Sequence, residues 1–146
     1  MLEGSAQCKS SSNKAIGEVL ANIVAANKFT LYEYFITDKI GHAQDYEAAG
    51  RVLGALALFI RSMLDKLDLK RTTVILTSDH GNIEDLSLRN HTLNPVPTIV
   101  WGAHRENLAA RIHTLADITP GIVDVLTKGT HNDGQSVPAE SVRASN

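Results

Sequence analysis

The sequence contains a single cysteine, Cys8, so no disulfide can close within the chain and no cluster of thiolates exists to build a structural zinc knot. A reducing compartment, the cytoplasm, is the expected setting. Charge of one sign is equally lacking. The 14 Lys and Arg and 16 Asp and Glu are spread along the chain and leave a formal charge of −2, which supplies neither a basic stripe for a phosphate backbone nor an acidic tail. Nucleic acid is not an expected partner. No apolar run approaches the ~20 residues needed to cross a bilayer, and the amino terminus lacks the charged-then-apolar order of a secretory signal, so no membrane partner is expected either. No internal repeat is found. What is there is a chain of 146 residues with 43% hydrophobic composition, enough for one domain with a core and too little for two.

Residues 1–13 are polar or small, rich in serine and without an apolar period, and read as a frayed lead-in. From residue 14, Ile16, Leu20, Ile23 and Val24 recur at helical spacing, with Asn27 suited to a left-handed end. Residues 29–37, dense in β-branched and aromatic side chains, predict a strand buried on both faces that delivers Asp38 to its carboxyl end. Between residues 45 and 67, a stripe of Val52, Leu53, Leu56, Ile60, Met63, Leu64 and Leu67 predicts the longest helix. Gly50 and Gly54 each cost that helix about 1 kcal/mol relative to alanine, which predicts close packing against a neighbour there. A strand over 72–77 follows, then a loop over 82–97 with two prolines and no clean period, of the kind that carries sites. Residues 97–102 predict a short strand opened by Pro97 and closed by Gly102. Asp117-Ile118-Thr119-Pro120 predicts a helix start, a capping carboxylate or hydroxyl before the proline, with Ile122, Val123 and Leu126 on the apolar face. Residues 129–146 turn polar, with a turn signal at Asn132-Asp133-Gly134, and read as an irregular tail. Strands alternating with helices across long crossovers predict an α/β fold, its sheet parallel or mostly parallel with helices on both faces.

Thr77-Ser78-Asp79-His80-Gly81-Asn82 follows directly on the run 72–76, so a carboxylate and an imidazole stand side by side where a strand ends. An open α/β sheet puts its chemistry at such ends. Asp38 and His42 follow the other strand-like run, and His91 lies beyond the first pair. In a parallel sheet these loops converge on one rim, where Asp38, His42, Asp79, His80 and His91 can meet. Two carboxylates ~5 Å apart at an effective dielectric of ~20 repel by about 3 kcal/mol, a penalty that a divalent cation removes. Carboxylates mixed with neutral imidazoles suit zinc, manganese or another first-row dication better than calcium, in a centre of catalytic type. Each piece also has an ordinary reading. Asp, Gly and Asn are turn formers, Asp38 can cap the turn at Gly41, and His42 and His91 can be surface or loop histidines. The pairs taken together favour the metal. His104, His113 and His131 fall outside the pattern and read as surface residues, and Trp101 reads as a packing residue.

Thr37-Asp38-Lys39-Ile40-Gly41-His42, Thr77-Ser78-Asp79-His80-Gly81-Asn82-Ile83-Glu84, His91-Thr92-Leu93-Asn94-Pro95-Val96-Pro97 and Leu115-Ala116-Asp117-Ile118-Thr119-Pro120, in that order, resemble the carboxyl-terminal part of the alkaline phosphatase superfamily. The nearest branch is cofactor-independent phosphoglycerate mutase and its metalloenzyme-domain relatives. The resemblance covers roughly residues 29–126 and implies an alkaline-phosphatase-like fold, incomplete here, with residues 14–128 forming the metalloenzyme domain. It implies two divalent metal ions, zinc or manganese with magnesium also open, one held by Asp38, His42 and His91 and the other by Asp79 and His80. It further implies a phosphorylated small-molecule substrate. In the family the second ion also takes an aspartate from an amino-terminal strand and touches a serine or threonine nucleophile. Neither is identifiable here, since only 37 residues precede Asp38, so no catalytic residue is assigned. Ser10-Ser11-Ser12 stand before a predicted helix, but no apolar strand or aspartate leads into them. The expectation is a metal-dependent phosphoryl-transfer module of the phosphatase or phosphomutase type, completed by a missing amino-terminal segment or a second chain. The alternative is a non-catalytic metal-binding or interaction remnant of such an enzyme.

Overall fold

The computed structural model describes residues 3–128, with side chains from Ser12 onward. Helix α1 (Glu3–Ala26) carries the predicted apolar spacing but begins well before it. The segment read as a frayed lead-in is therefore helical from Glu3, and Ser10 to Ser12 lie inside a helix instead of ahead of one. Once the turns around Leu20 are held by packing, each further residue adds one hydrogen bond without a new nucleation cost, so polar residues can extend the helix. Asn27 ends α1 without a left-handed turn: its side-chain amide donates to the Ile23 carbonyl at 2.8 Å and its N–H to the Val24 carbonyl at 3.2 Å.

Helix α3 (Tyr46–Leu64) is the helix predicted between residues 45 and 67, but with 19 residues it is not the longest, because the polar extension of α1 brings that helix to 24. Asp45 caps it, accepting from the Ala48 N–H at 2.9 Å. Leu20 and Ala21 of α1 are buried against Phe59 and Met63 of α3, with Val24, Leu56, Ile60, Leu64, Leu67 and Val74 around them. The two helices meet closely because Gly17 has no side chain, and a methyl group there would overlap the Ser62 hydroxyl and the Phe59 carbonyl. The buried Ser62 hydroxyl lies 3.1 Å from the Lys14 carbonyl of α1 and 2.9 Å from the Phe59 carbonyl of its own helix. Gly50 and Gly54 do the opposite of what the sequence predicts. Nothing lies within 4 Å of the position of a side chain at either, so they face open space.

The strand expected over residues 29–37 is absent. Residues 29–34 are without regular structure, and helix α2 (Ile36–Ala43) starts immediately after Phe35. β-branched and aromatic residues favour strands only where a pleated, half-buried surface receives them. Here Phe29, Leu31, Tyr32 and Phe35 are exposed, Leu31 at 84%. Asp38 and His42 consequently sit one turn apart on a helix, not on a loop at a strand end.

Strands β1 (Thr73–Thr77) and β2 (Thr98–Gly102) form a two-stranded antiparallel sheet, with Thr73 opposite Gly102, Ile75 opposite Val100 and Thr77 opposite Thr98. The described residues are thus α/β, but the expected parallel arrangement gives way to an antiparallel pair. Residues 78–97 double back as a long loop instead of crossing over, which returns β2 beside β1 in the opposite sense. Trp101 on β2 is half-buried, as a packing residue would be. Helix α4 (Arg105–Ala109) follows, too short for periodicity to announce, and carries Leu108, which is 1% exposed. Helix α5 (Ile118–Lys128) is entered through a 3-10 turn, Leu115–Asp117. The cap expected at Asp117 or Thr119 lies upstream: Thr114 caps the turn, and the Asp117 carboxylate reaches back to the Thr114 N–H at 2.8 Å. That bond and the His113 N–H hold the Asp117 carboxyl below its ordinary pKa, the His113 bond contributing most. Arg111 and Asp124 pair at 2.6 Å and fix the end of α4 against α5. The expected tail, its Asn132-Asp133-Gly134 turn and His131 lie outside the described residues. Among the described residues, no helix is long and apolar enough to cross a membrane.

Candidate metal centre

Three segments bring the candidate ligands together. Helix α2 presents Asp38 and His42 on one face, four residues apart, as helical geometry requires. The loop leaving β1 carries Asp79 and His80, and the long loop after it carries His91. An isolated antiparallel bridge between Gly81 and Thr92, with the Thr92 N–H donating to the Gly81 carbonyl at 3.0 Å, draws His91 back beside His80. Their rings stack 3.6 Å apart at 15°.

Asp38 Oδ1 is the centre of the cluster. It lies 3.3 Å from His42 Nε2, 3.2 Å from His91 Nε2 and 3.9 Å from His80 Nε2. His42 Nε2 and His91 Nε2 are 3.1 Å apart. One ligand atom each from Asp38, His42 and His91 falls within 4.8 Å of the others. A tetrahedral ion with bonds of ~2.0–2.2 Å separates its ligand atoms by about 3.3–3.6 Å, close to the 3.1–3.3 Å seen in this triad. The tautomer is also suitable. His42 Nδ1 lies 2.6 Å from the Arg89 carbonyl, an acceptor only, so Nδ1 is the donor of that bond and Nε2 is the nitrogen turned to the cluster. A carboxylate oxygen and two imidazole Nε2 atoms gathered at one point fit a first-row dication.

Asp79 stands apart. Its side chain is 86% exposed, and its Oδ1 lies 3.6 Å from His80 Nε2. His80 Nε2 lies between the two carboxylates, 3.9 Å from Asp38 Oδ1 and 3.6 Å from Asp79 Oδ1. His104 and His113 are exposed and outside the cluster, as expected for surface residues.

The structure gives roles to three residues to which the sequence assigns none. Glu84 gathers the loop: its carboxylate accepts from the Thr92 hydroxyl, from the Asn82 N–H at 2.6 Å and from the Asn94 amide at 3.1 Å. These bonds, led by the Thr92 hydroxyl, outweigh desolvation and hold the Glu84 carboxyl down at about 2. Gln44, the described non-glycine residue with positive φ (56°), ends α2, and its amide donates to the Leu86 and Ser87 carbonyls at 3.1 Å each. Asn82 is buried and donates through Nδ2 to Asp38 Oδ1 at 3.3 Å. Asn82 and Glu84 belong to the motif over residues 77–84, whose sequence does not show what either side chain touches, and Gln44 carries no sequence signal beyond its place after α2.

A family model described as the metalloenzyme superfamily matches residues 4–128. The chain is 32% identical over 121 residues to a 2,3-bisphosphoglycerate-independent phosphoglycerate mutase of Mycoplasma genitalium, covering 79% of this chain and 24% of that protein. A protein of the same name from Antithamnion sp. is 31% identical over 124 residues, with 76% and 24% covered. One from Dinoroseobacter shibae is 30% identical over 127 residues, with 82% and 25% covered. The chain therefore spans about a quarter of the length of the curated relatives it matches. No solved structure matches it. With that family model matched over residues 4–128, this chain belongs to the metalloenzyme superfamily.

Proposed function

We propose that this chain is the metal-binding part of a metal-dependent phosphoryl-transfer enzyme of the phosphatase or phosphomutase type. In this reading Asp38, His42 and His91 hold one divalent ion, and Asp79 with His80 contributes to a second. The observation that carries it is the convergence of three ligand atoms from α2 and a loop about fifty residues away, at the spacing of a metal's first shell. Zinc or manganese suits the donors best, and magnesium is compatible. Bound divalent ions would stabilise charge on the oxygens of a transferring phosphoryl group.

The protein's own part is positioning. The Arg89 carbonyl fixes the His42 ring, the stack on His80 fixes His91, and the exposed Asp79 marks the open side of the site. The substrate would be a phosphorylated small molecule, in keeping with relatives named phosphoglycerate mutase. The nucleophile and the remaining ligand of the second ion would come from an amino-terminal segment or a second chain outside these 146 residues. A second reading, a non-catalytic metal-binding remnant, draws on the high exposure of Asp79, which leaves the second ion with few donors.

Thermal and urea unfolding with and without metal tests the proposal. Zn²⁺ or Mn²⁺ at ~100 times its dissociation constant should stabilise the chain by ~2.7 kcal/mol, and His91→Ala should remove the part of that response owed to the ion held by Asp38 and His42, without lowering the metal-free stability. A melting temperature indifferent to both ions would sink the metal-centre reading. Phosphomonoester turnover measured on the chain joined to a nucleophile-bearing segment then separates the enzyme from the remnant.

A further inference from the structure

Asn82 is 5% exposed, and its two side-chain polar atoms have unlike surroundings. Nδ2 donates to Asp38 Oδ1 across 44 residues of sequence, while Oδ1 is buried with no hydrogen-bond partner. The side chain lies against Gly41, where an added methyl group would overlap it, so the glycine of the Asp38–His42 turn leaves the space that Asn82 fills. An unpaired buried acceptor destabilises a fold, and a leucine of nearly the same shape would fill that space without one. Packing alone does not account for an amide here. Nor does the turn, because the Asn82 backbone N–H, not its side chain, makes the bond to Glu84 Oε2 at 2.6 Å. What the amide supplies is a donor to the same carboxylate oxygen that faces His42 Nε2 at 3.3 Å and His91 Nε2 at 3.2 Å.

We propose that Asn82 is a positioning residue of the metal centre: it holds the Asp38 carboxylate so that Oδ1 is presented to the site beside His42 and His91. The proposal rests on the metal-centre reading above and adds to it a specific outer contact. One hydrogen bond to Oδ1 restricts rotation of the carboxylate about its own axis, which an exposed aspartate on a helix otherwise retains. The ordering is thereby completed before an ion arrives. Asn82 also couples the loop after β1 to α2, so that the two segments bearing ligands keep a common register.

The test compares the unsubstituted chain with Asn82→Leu and Asn82→Ala, by titration calorimetry with Zn²⁺, visible absorption of the Co²⁺-loaded protein, and urea unfolding without metal. Loss of such an outer partner weakens metal binding by about 10- to 100-fold. Asn82→Leu should show that loss and altered Co²⁺ bands, with a metal-free unfolding midpoint equal to or above that of the unsubstituted chain. Asn82→Ala should show the same loss of affinity with a lower midpoint. Unchanged Zn²⁺ affinity and Co²⁺ bands in either folded variant would overturn the proposal and leave the metal centre standing. Failure of both variants to fold would make Asn82 a structural residue and likewise overturn it. No Zn²⁺ or Co²⁺ binding by the unsubstituted chain would remove the proposal together with the metal-centre reading.

Discussion

At Glu84 a single carboxylate joins the Asn82 backbone to the Thr92 and Asn94 side chains, closing the loop that bears His91. Its folded pKa of about 2 lies below the ordinary 4.5, so its contribution is complete above about 4.5 and is lost as the pH falls through about 2. The group is exposed, and solvent screening limits the effect to under about 1 kcal/mol. Amide exchange at Thr92 and Asn94 should accelerate over that acid window, and Glu84→Gln should flatten the pH dependence. Identical profiles for the two proteins would remove Glu84 from this role. The five candidate ligands were legible as residue types, because acid and histidine pairs at the ends of apolar runs are uncommon. Asn82 and Gln44 were not, since their partners lie more than 40 residues away and only folding makes them neighbours.

The elements divide by where their signal lies. The helix stripe of α3 and the hairpin strands β1 and β2 follow local pattern, and their positions agree with it. The residues before α2 carry a strand's composition and form no strand, because a strand is defined by a partner and none of the described residues supplies one. Asp38 and His42 gain from this outcome. A helix places residues four apart on one face, whereas a strand end leaves their separation to a loop. Gly50 and Gly54 illustrate the converse limit, since a sequence shows what a glycine costs a helix but not what lies opposite it. Both face open space, so Gly50→Ala and Gly54→Ala should each stabilise the chain by about 0.5–1 kcal/mol in urea unfolding. Destabilisation by either would mean that an unseen neighbour occupies that face.

For the molecule as a whole, the core and the site are separate parts. Leu20, Ala21, Phe59 and Met63 form the buried cluster between α1 and α3, while the imidazoles stand half-exposed at the mouth of two loops. Phe59→Ala should therefore cost about 3–5 kcal/mol of unfolding free energy and leave the Zn²⁺ affinity of the folded fraction unchanged. A matching loss of affinity would show that the site depends on the α1–α3 packing. Phe29, Leu31, Tyr32, Phe35 and Ile36 remain exposed on the segment leading into α2.

The sequence by itself determined which side chains are available for chemistry, the family, and the positions of α3 and the two strands. These depend on residue identity and on short-range periodicity, which the chain carries locally. Only the tertiary structure decided that the sheet pairs antiparallel, that Asp38 and His42 ride on a helix, and that Asp38, His42 and His91 converge while Asp79 turns outward. Those outcomes depend on which distant segments pack together, and a contact between residues far apart in sequence leaves no mark in either residue alone.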